Sequence, residues 1–207
     1  MTGIVVPGPI AVRGRELRFG HRTWIMGIVN VTPDSFSGDG LLTRSDATAA
    51  AVAQAVAMVG EGADLIDVGG ESTRPGAAEV DVDEELGRVV EVVAGIRARL
   101  PDVPLSIDTT KPTVAEAALE AGADIINDID AVTEGVALAP IAAARGAPSI
   151  LMHGRRHAEN PDVAAEVVAE LDEALADAAA AGCDPASLIV DPGIGFGKTA
   201  EQNLALL

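Results

Sequence analysis

A single cysteine, Cys183, stands in the 207 residues, so no disulfide can form within the chain. It sits beside Ala179-Ala180-Ala181-Gly182 with no histidine adjacent, the setting of an inert thiol and not of a nucleophile. Basic residues are also scarce, 14 against 32 acidic ones, for a formal charge of -18. That balance excludes nucleic acid as a partner, because phosphate neutralisation needs clustered Lys and Arg. The same field repels small anions, so a phosphorylated ligand would require a metal ion or a local basic cluster. No apolar run approaches the ~18 residues of a membrane span. The first residues, Met1 to Gly8, lack a basic region and are broken by Pro7 and Gly8, unlike a secretory signal. The expectation is a cytoplasmic protein with no membrane partner. A Gly-x-Gly-x-x-Gly fingerprint after the first apolar run is missing too, which disfavours a dinucleotide-binding domain.

What the chain does have is 48 % hydrophobic residues, enough for the core of one large domain. Short, β-branched apolar runs lie at Trp24–Val29, Leu65–Val68, Leu105–Ile107, Ile125-Ile126, Ser149–Met152 and Leu188–Val190. Nearly continuous apolar character in short runs suits parallel strands covered on both faces. Ala-rich stretches between them predict helices at about 45–60, 83–99, 112–121, 136–145 and 162–181. Ser45-Asp46, Asp83-Glu84-Glu85 and Pro112 supply helix-start signals. Residues 4–23, punctuated by Gly14 and Gly20, predict a β-hairpin. A weak repeat, Gly62-Ala63-Asp64-Leu65-Ile66 against Gly122-Ala123-Asp124-Ile125-Ile126, places Gly at a helix end before a strand. Almost every run finishes in a polar side chain: Asn30, Asp67, Asp108, Asn127 with Asp128, His153, and Asp191. One such residue is commonly a helix cap, but six favour a barrel, whose strand ends converge on an active site. An open sheet would spread them along an edge.

Two loops narrow the function. Asn30-Val31-Thr32-Pro33-Asp34-Ser35-Phe36-Ser37 follows the first strand, and Gly69-Gly70-Glu71-Ser72-Thr73-Arg74-Pro75-Gly76 follows the second. With Ser106-Ile107-Asp108-Thr109, Ile126-Asn127-Asp128, Leu151-Met152-His153 and Asp191-Pro192-Gly193-Ile194-Gly195-Phe196-Gly197-Lys198-Thr199, they resemble in order the motifs of dihydropteroate synthases. The resemblance spans roughly residues 4 to 207. It implies an α/β fold, a TIM (β/α)8 barrel with an N-terminal hairpin, and one pterin-binding domain over residues 1–207. It implies a transferase of folate biosynthesis that displaces pyrophosphate from 6-hydroxymethyl-7,8-dihydropterin pyrophosphate with the amine of p-aminobenzoate. Asp108, Asn127 and Asp191 match the residues that hold the pterin, whose guanidine-like edge suits carboxylate and amide partners. Met152 matches a residue that packs on the pterin. Asn30 matches the position near the pyrophosphate and its Mg²⁺, a cation that prefers oxygen ligands. Phe36, Thr73, Arg74, Pro75 and Phe196 match the p-aminobenzoate subsite, where sulfonamides compete. Asp108, Asn30 and Arg74 are thereby the expected catalytic residues, Mg²⁺ the expected cofactor and a homodimer the expected assembly.

The match departs in places. Ser37-Gly38-Asp39-Gly40 displaces the usual loop carboxylate by one residue, and Asp130 adds a negative charge where small residues are commoner. Arg155 and Arg156 make the fifth loop unusually basic, and the contact made by Lys198 is left open. Two further βα units expected of the family, carrying a Lys and an Arg-x-His block, do not appear in the sequence. The alternatives are a pterin-binding homologue or fragment without turnover, a pterin-dependent methyltransferase domain, and a generic phosphate-binding barrel.

Overall fold

A computed structural model describes residues 8–32, 44–72, 79–154 and 162–207. It divides into two compact units, Met1–Ile125 and Ile126–Leu207. The first opens with a hairpin, β1 (Ile10–Val12) antiparallel to β2 (Arg15–Leu17). Arg13 and Gly14, both at positive φ, form its two-residue turn, whose twist matches that of the flanking strands. Ile10, Val12 and Leu17 bury one face, while Arg13 reaches out to the Asp124 carboxylate at 2.6 Å. The predicted hairpin is present.

Three βα units follow: β3 (Met26–Asn30), α1 (Arg44–Glu61), β4 (Leu65–Gly69), α2 (Val82–Arg99), β5 (Leu105–Asp108) and α3 (Pro112–Ala121). Parallel pairing runs β3-β4-β5, with Met26 opposite Leu65 and Ile66 opposite Leu105. Every residue of β4 is buried, as expected of a strand covered on both faces. Asp81 caps α2 by accepting from the Asp83 N–H. Pro112 starts α3, where its missing N–H costs nothing, and Gly122 ends it in the left-handed region at φ 117°.

The second unit contains most of β6 (Ile125–Asp128), then α4 (Ala139–Arg145), β7 (Ser149–Met152), α5 (Val163–Ala180), β8 (Leu188–Asp191) and α6 (Ala200–Ala205). Its parallel register sets Ile126 opposite Ser149 and Met152 opposite Asp191. Val163, Val167 and Leu171 on the inner stripe of α5 pack with Val132 and Leu206. Cys183 is buried and donates to the Ala139 carbonyl, and burial pushes its thiol pKa up, which agrees with an inert role. All six expected strands are present. Helix α4 starts three residues later than the spacing suggests, because Val136–Leu138 turn instead. Among the described residues no helix is long and apolar enough to cross a membrane.

Candidate active site

In the first unit the strand register builds one row from Asn30, Gly69 and Asp108. Gly69 stands between the two polar tips: a side chain there would come within 3.3 Å of Asp108 Oδ2 and 3.7 Å of Asn30 Oδ1. The glycine leaves a gap over the strand end, flanked by an amide oxygen and a carboxylate. The next residue, Gly70, is required by packing. An added Cβ would approach Val89 Cγ1 at 2.7 Å and Glu85 Cγ at 2.9 Å, so its absence lets α2 close on the strand.

Of the polar residues expected at strand ends, Asp67 is elsewhere, and His153 keeps its place but is committed to a helix partner. Asp67 lies mid-strand, one layer below that row, because β4 continues to Gly69. It is buried and accepts a hydrogen bond from Ser106 Oγ, its register partner. His153 follows β7, fully buried, with Nε2 2.8 Å from Glu170 Oε2 on α5. A carboxylate acceptor sets that nitrogen as the donor. Both side chains are committed to partners within the scaffold.

A buried charged cluster supports the first unit's loops and was not expected. Glu85 reads in sequence as an acid at a helix start, yet it is fully buried. Its Oε1 accepts from Thr109 Oγ1 at 2.7 Å, and its Oε2 lies 2.7 Å from Lys111 Nζ. Lys111 also pairs with Glu71 Oε2, while Glu71 Oε1 accepts the Val80 N–H at 3.2 Å. Burial works against the Lys111 charge, but hydrogen bonds to Glu71 and Glu85 outweigh it and raise the lysine's pKa. Arg88 of α2 donates to the Gly70 carbonyl at 2.6 Å. The cluster thus joins the two ends of the Glu71–Val80 connection and the turn after Asp108.

In the second unit Met152, 3 % exposed, pairs with the half-buried Asp191 across β7 and β8. Asn127 pairs with Ile150, two residues earlier along β7. Asp191 Oδ1 accepts the Gly193 N–H at 2.8 Å, which fixes the carboxylate's orientation and leaves its second oxygen for other partners. The Asp191–Thr199 loop then turns on Gly193, Gly195 and Gly197, all at positive φ. Phe196 is half-buried on it. Lys198 Nζ donates to the carbonyls of His153 (3.0 Å), Gly193 (3.0 Å) and Phe196 (3.4 Å).

Asp128 is 3 % exposed, and burial is the largest influence on its pKa, pushed up to about 7. The Asp130 N–H, 3.2 Å away, favours ionisation, whereas the Asp130 charge opposes it. Phe36, Asp39, Thr73, Arg74, Pro75, Arg155 and Arg156 lie outside the described residues.

Each unit thus carries carboxylate and amide side chains at the ends of parallel strands, where α/β enzymes bear their active sites. A sequence model of pterin binding enzymes matches residues 26–207. The dihydropteroate synthase of Clostridium beijerinckii is 46 % identical over 193 residues, which cover 93 % of this chain and 70 % of that protein. The Xanthomonas albilineans dihydropteroate synthase solved with 4-aminobenzoic acid superposes with a TM-score of 0.86 at 45 % identity. That match covers 98 % of this chain and 72 % of the other. The same enzyme solved with 7,8-dihydropteroate gives 0.83 at 42 % identity, over 96 % of this chain and 70 % of that one. This chain belongs to the dihydropteroate synthase family of pterin-binding enzymes. Its fold class is that of these solved TIM barrels, and its six parallel strands alternate with helices accordingly. The chain spans about 70 % of the length of the curated relatives it matches.

Proposed function

We propose that the chain condenses 6-hydroxymethyl-7,8-dihydropterin pyrophosphate with p-aminobenzoate to give 7,8-dihydropteroate and pyrophosphate. The observation that carries the reading is the family membership together with polar groups at the matching strand ends, Asn30, Asp108, Asn127 and Asp191. The C–O bond to pyrophosphate breaks and its electron pair leaves with the pyrophosphate. The aromatic amine nitrogen then bonds the methylene carbon and gives up a proton. Asp191, oriented by the Gly193 N–H, accepts from the aminopyrimidine edge of the pterin, and Asn127 pairs with the same ring system. Met152 packs on the pterin. Asp108 stabilises positive charge that develops as the C–O bond opens. Phe36, Thr73, Arg74, Pro75 and Phe196 form the p-aminobenzoate subsite, where a sulfonamide competes.

Asn30 offers an amide oxygen beside the Gly69 gap, with the Asp108 carboxylate on its other side. This hard-oxygen pair fits Mg²⁺, which takes one or two protein oxygens and fills its remaining positions with water and substrate phosphates. When bound, the ion neutralises part of the leaving group's charge. A local cation also supports binding of an anionic substrate by a chain of charge -18. A cytoplasmic location and a homodimer complete the reading. The test is calorimetry of a pterin ligand on the protein and on Asp191→Asn. The amide presents a donor where only acceptors fit, so affinity should fall by about 1–3 kcal/mol. Unchanged affinity removes Asp191 from the pterin site.

A further inference from the structure

We infer that Lys198 is a positioning residue, whose ammonium clamps the Asp191–Thr199 loop against the end of β7 and so presents Asp191 and Phe196 to substrate. An ammonium has three protons. Here three carbonyls, those of His153, Gly193 and Phe196, receive them at 3.0, 3.0 and 3.4 Å. The ammonium's hydrogen-bond partners among the described residues are all backbone carbonyls, so a basic residue in a substrate-binding loop is turned to the backbone. Among the described residues no carboxylate pairs with it directly, although Asp191 and Glu170 act on it through space. Burial is the largest influence on the group and lowers its pKa.

The loop is shaped around this ammonium. Gly193, at φ 67°, lies so close to β7 that an added Cβ would meet the His153 carbonyl oxygen at 2.2 Å. Gly195 and Gly197 repeat the positive φ at alternate positions. The Gly193 N–H fixes Asp191 while the Gly193 carbonyl holds Lys198, so one peptide plane on each side of Gly193 links the clamp to the carboxylate. The Phe196 carbonyl extends the same link to the aromatic. Asn203 Nδ2 donates to the Lys198 carbonyl at 3.3 Å, which anchors the lysine's own backbone to α6. The strand end, the loop and the following helix therefore meet at one charged group. Arginine is not an equivalent, because its planar fork spreads its donors where these acceptors converge on a point.

The inference rests on the reading of Asp191 and Phe196 as substrate contacts, and its test separates the two. Lys198→Met, Lys198→Arg and Lys198→Cys are compared with the unsubstituted protein, the last before and after aminoethylation, which rebuilds an ammonium of nearly lysine length. The unsubstituted protein treated with the same reagent controls for Cys183. Amide hydrogen exchange over residues 193–199 reports the clamp without reference to substrate. Pterin affinity and the KM and kcat for p-aminobenzoate report its consequence. Lys198→Met should speed exchange in that segment at least tenfold while β7 and α5 keep their protection. It should also raise KM for p-aminobenzoate about tenfold, and more than it lowers kcat. Aminoethylation of Lys198→Cys should restore both to within threefold, and Lys198→Arg should not. Unchanged exchange in Lys198→Met overturns the inference, as does loss of the whole fold in the Met and Cys variants, which would make the lysine a general scaffold element. Faster exchange with unchanged substrate constants overturns the presenting role. Asp191→Asn with wild-type pterin affinity, alongside loosened exchange in Lys198→Met, instead overturns the reading of Asp191 and leaves the clamp standing.

Discussion

Replacing Lys111 by Met tests the buried cluster beneath the Glu71–Val80 connection. The substitution keeps an unbranched side chain of similar length but leaves Glu85, fully buried, facing Glu71 with no cation between them. Removing one partner of a buried pair typically costs about 3–5 kcal/mol, because the remaining charge is stranded. Glu71 keeps a quarter of its side-chain exposure, so its share is discounted and most of the loss belongs to Glu85. For a chain of this size that loss corresponds to a fall in Tm of about 6–20 °C. Glu85→Gln in the same background removes the stranded charge while keeping an acceptor for Thr109 Oγ1, so Lys111→Met/Glu85→Gln should regain at least half of the lost stability. The pH dependence has a definite sign. The folded lysine's pKa lies above its ordinary 10.5, so the stabilisation is complete below that value and disappears as pH rises through the folded pKa. Thermal and urea unfolding of the single and double variants at neutral pH, and of the parent as pH is raised beyond 10.5, measure all of this. A Lys111→Met protein within 2 °C of the parent, or a double variant no better than the single, would refute the account of Glu85 as a charge held by this lysine.

Arg74→Ala, in the connection outside the described residues, should raise KM for p-aminobenzoate well beyond any loss of pterin affinity, and steady-state kinetics with both substrates varied would show equal losses if that is wrong. Asp128→Asn should stabilise the protein at pH 8 and flatten its pH profile. A carboxyl raised from 3.8 to about 7 in the fold favours the folded state below the unfolded value and loses about 4 kcal/mol as pH climbs to the folded one. Unfolding of Asp128→Asn that follows the parent's pH profile would show that Asp128 is ionised in the fold at neutral pH.

The strands were legible because each is a compact β-branched run, and burial of β4 on both faces leaves no alternating pattern to confuse it with a surface strand. Depth along the strand was not legible in the same way. Asp67 reads as a strand end because Gly69-Gly70 reads as loop, yet period-two alternation puts Asp67 and Gly69 on the same face with the aspartate one layer lower. The loss of Asp67 from the row costs the site nothing, since the glycine that replaces it opens the gap between Asn30 and Asp108. His153 stands at its strand end as expected, but its partner was not legible. Its role depends on Glu170, about two turns into α5, and nothing local to Leu151-Met152-His153 announces that partner.

Glu85 is the case in which the signal was present and outweighed. An acid in a first turn complements the helix dipole and is normally solvated, which is the reading its neighbours Asp83 and Glu84 satisfy. Glu85, however, falls on the stripe Glu85, Val89, Val92, Ile96, spaced at four, three and four residues, and that is the buried face of α2. A carboxylate on such a stripe needs a cation and further hydrogen bonds, and Lys111 and Thr109 supply them from the turn that follows Asp108. Well-packed apolar residues would commonly stabilise the same space as well or better. What they could not do is hold the Glu71 carboxylate over the Val80 N–H and fasten the turn beyond Asp108 with directional bonds at the same point. The charge cluster therefore belongs to the placement of the strand-end loops and not to the strength of the core. For that reason the double variant, with at least half of the lost stability regained but without the lysine, should show by calorimetry a loss in substrate binding larger than its remaining loss in unfolding free energy.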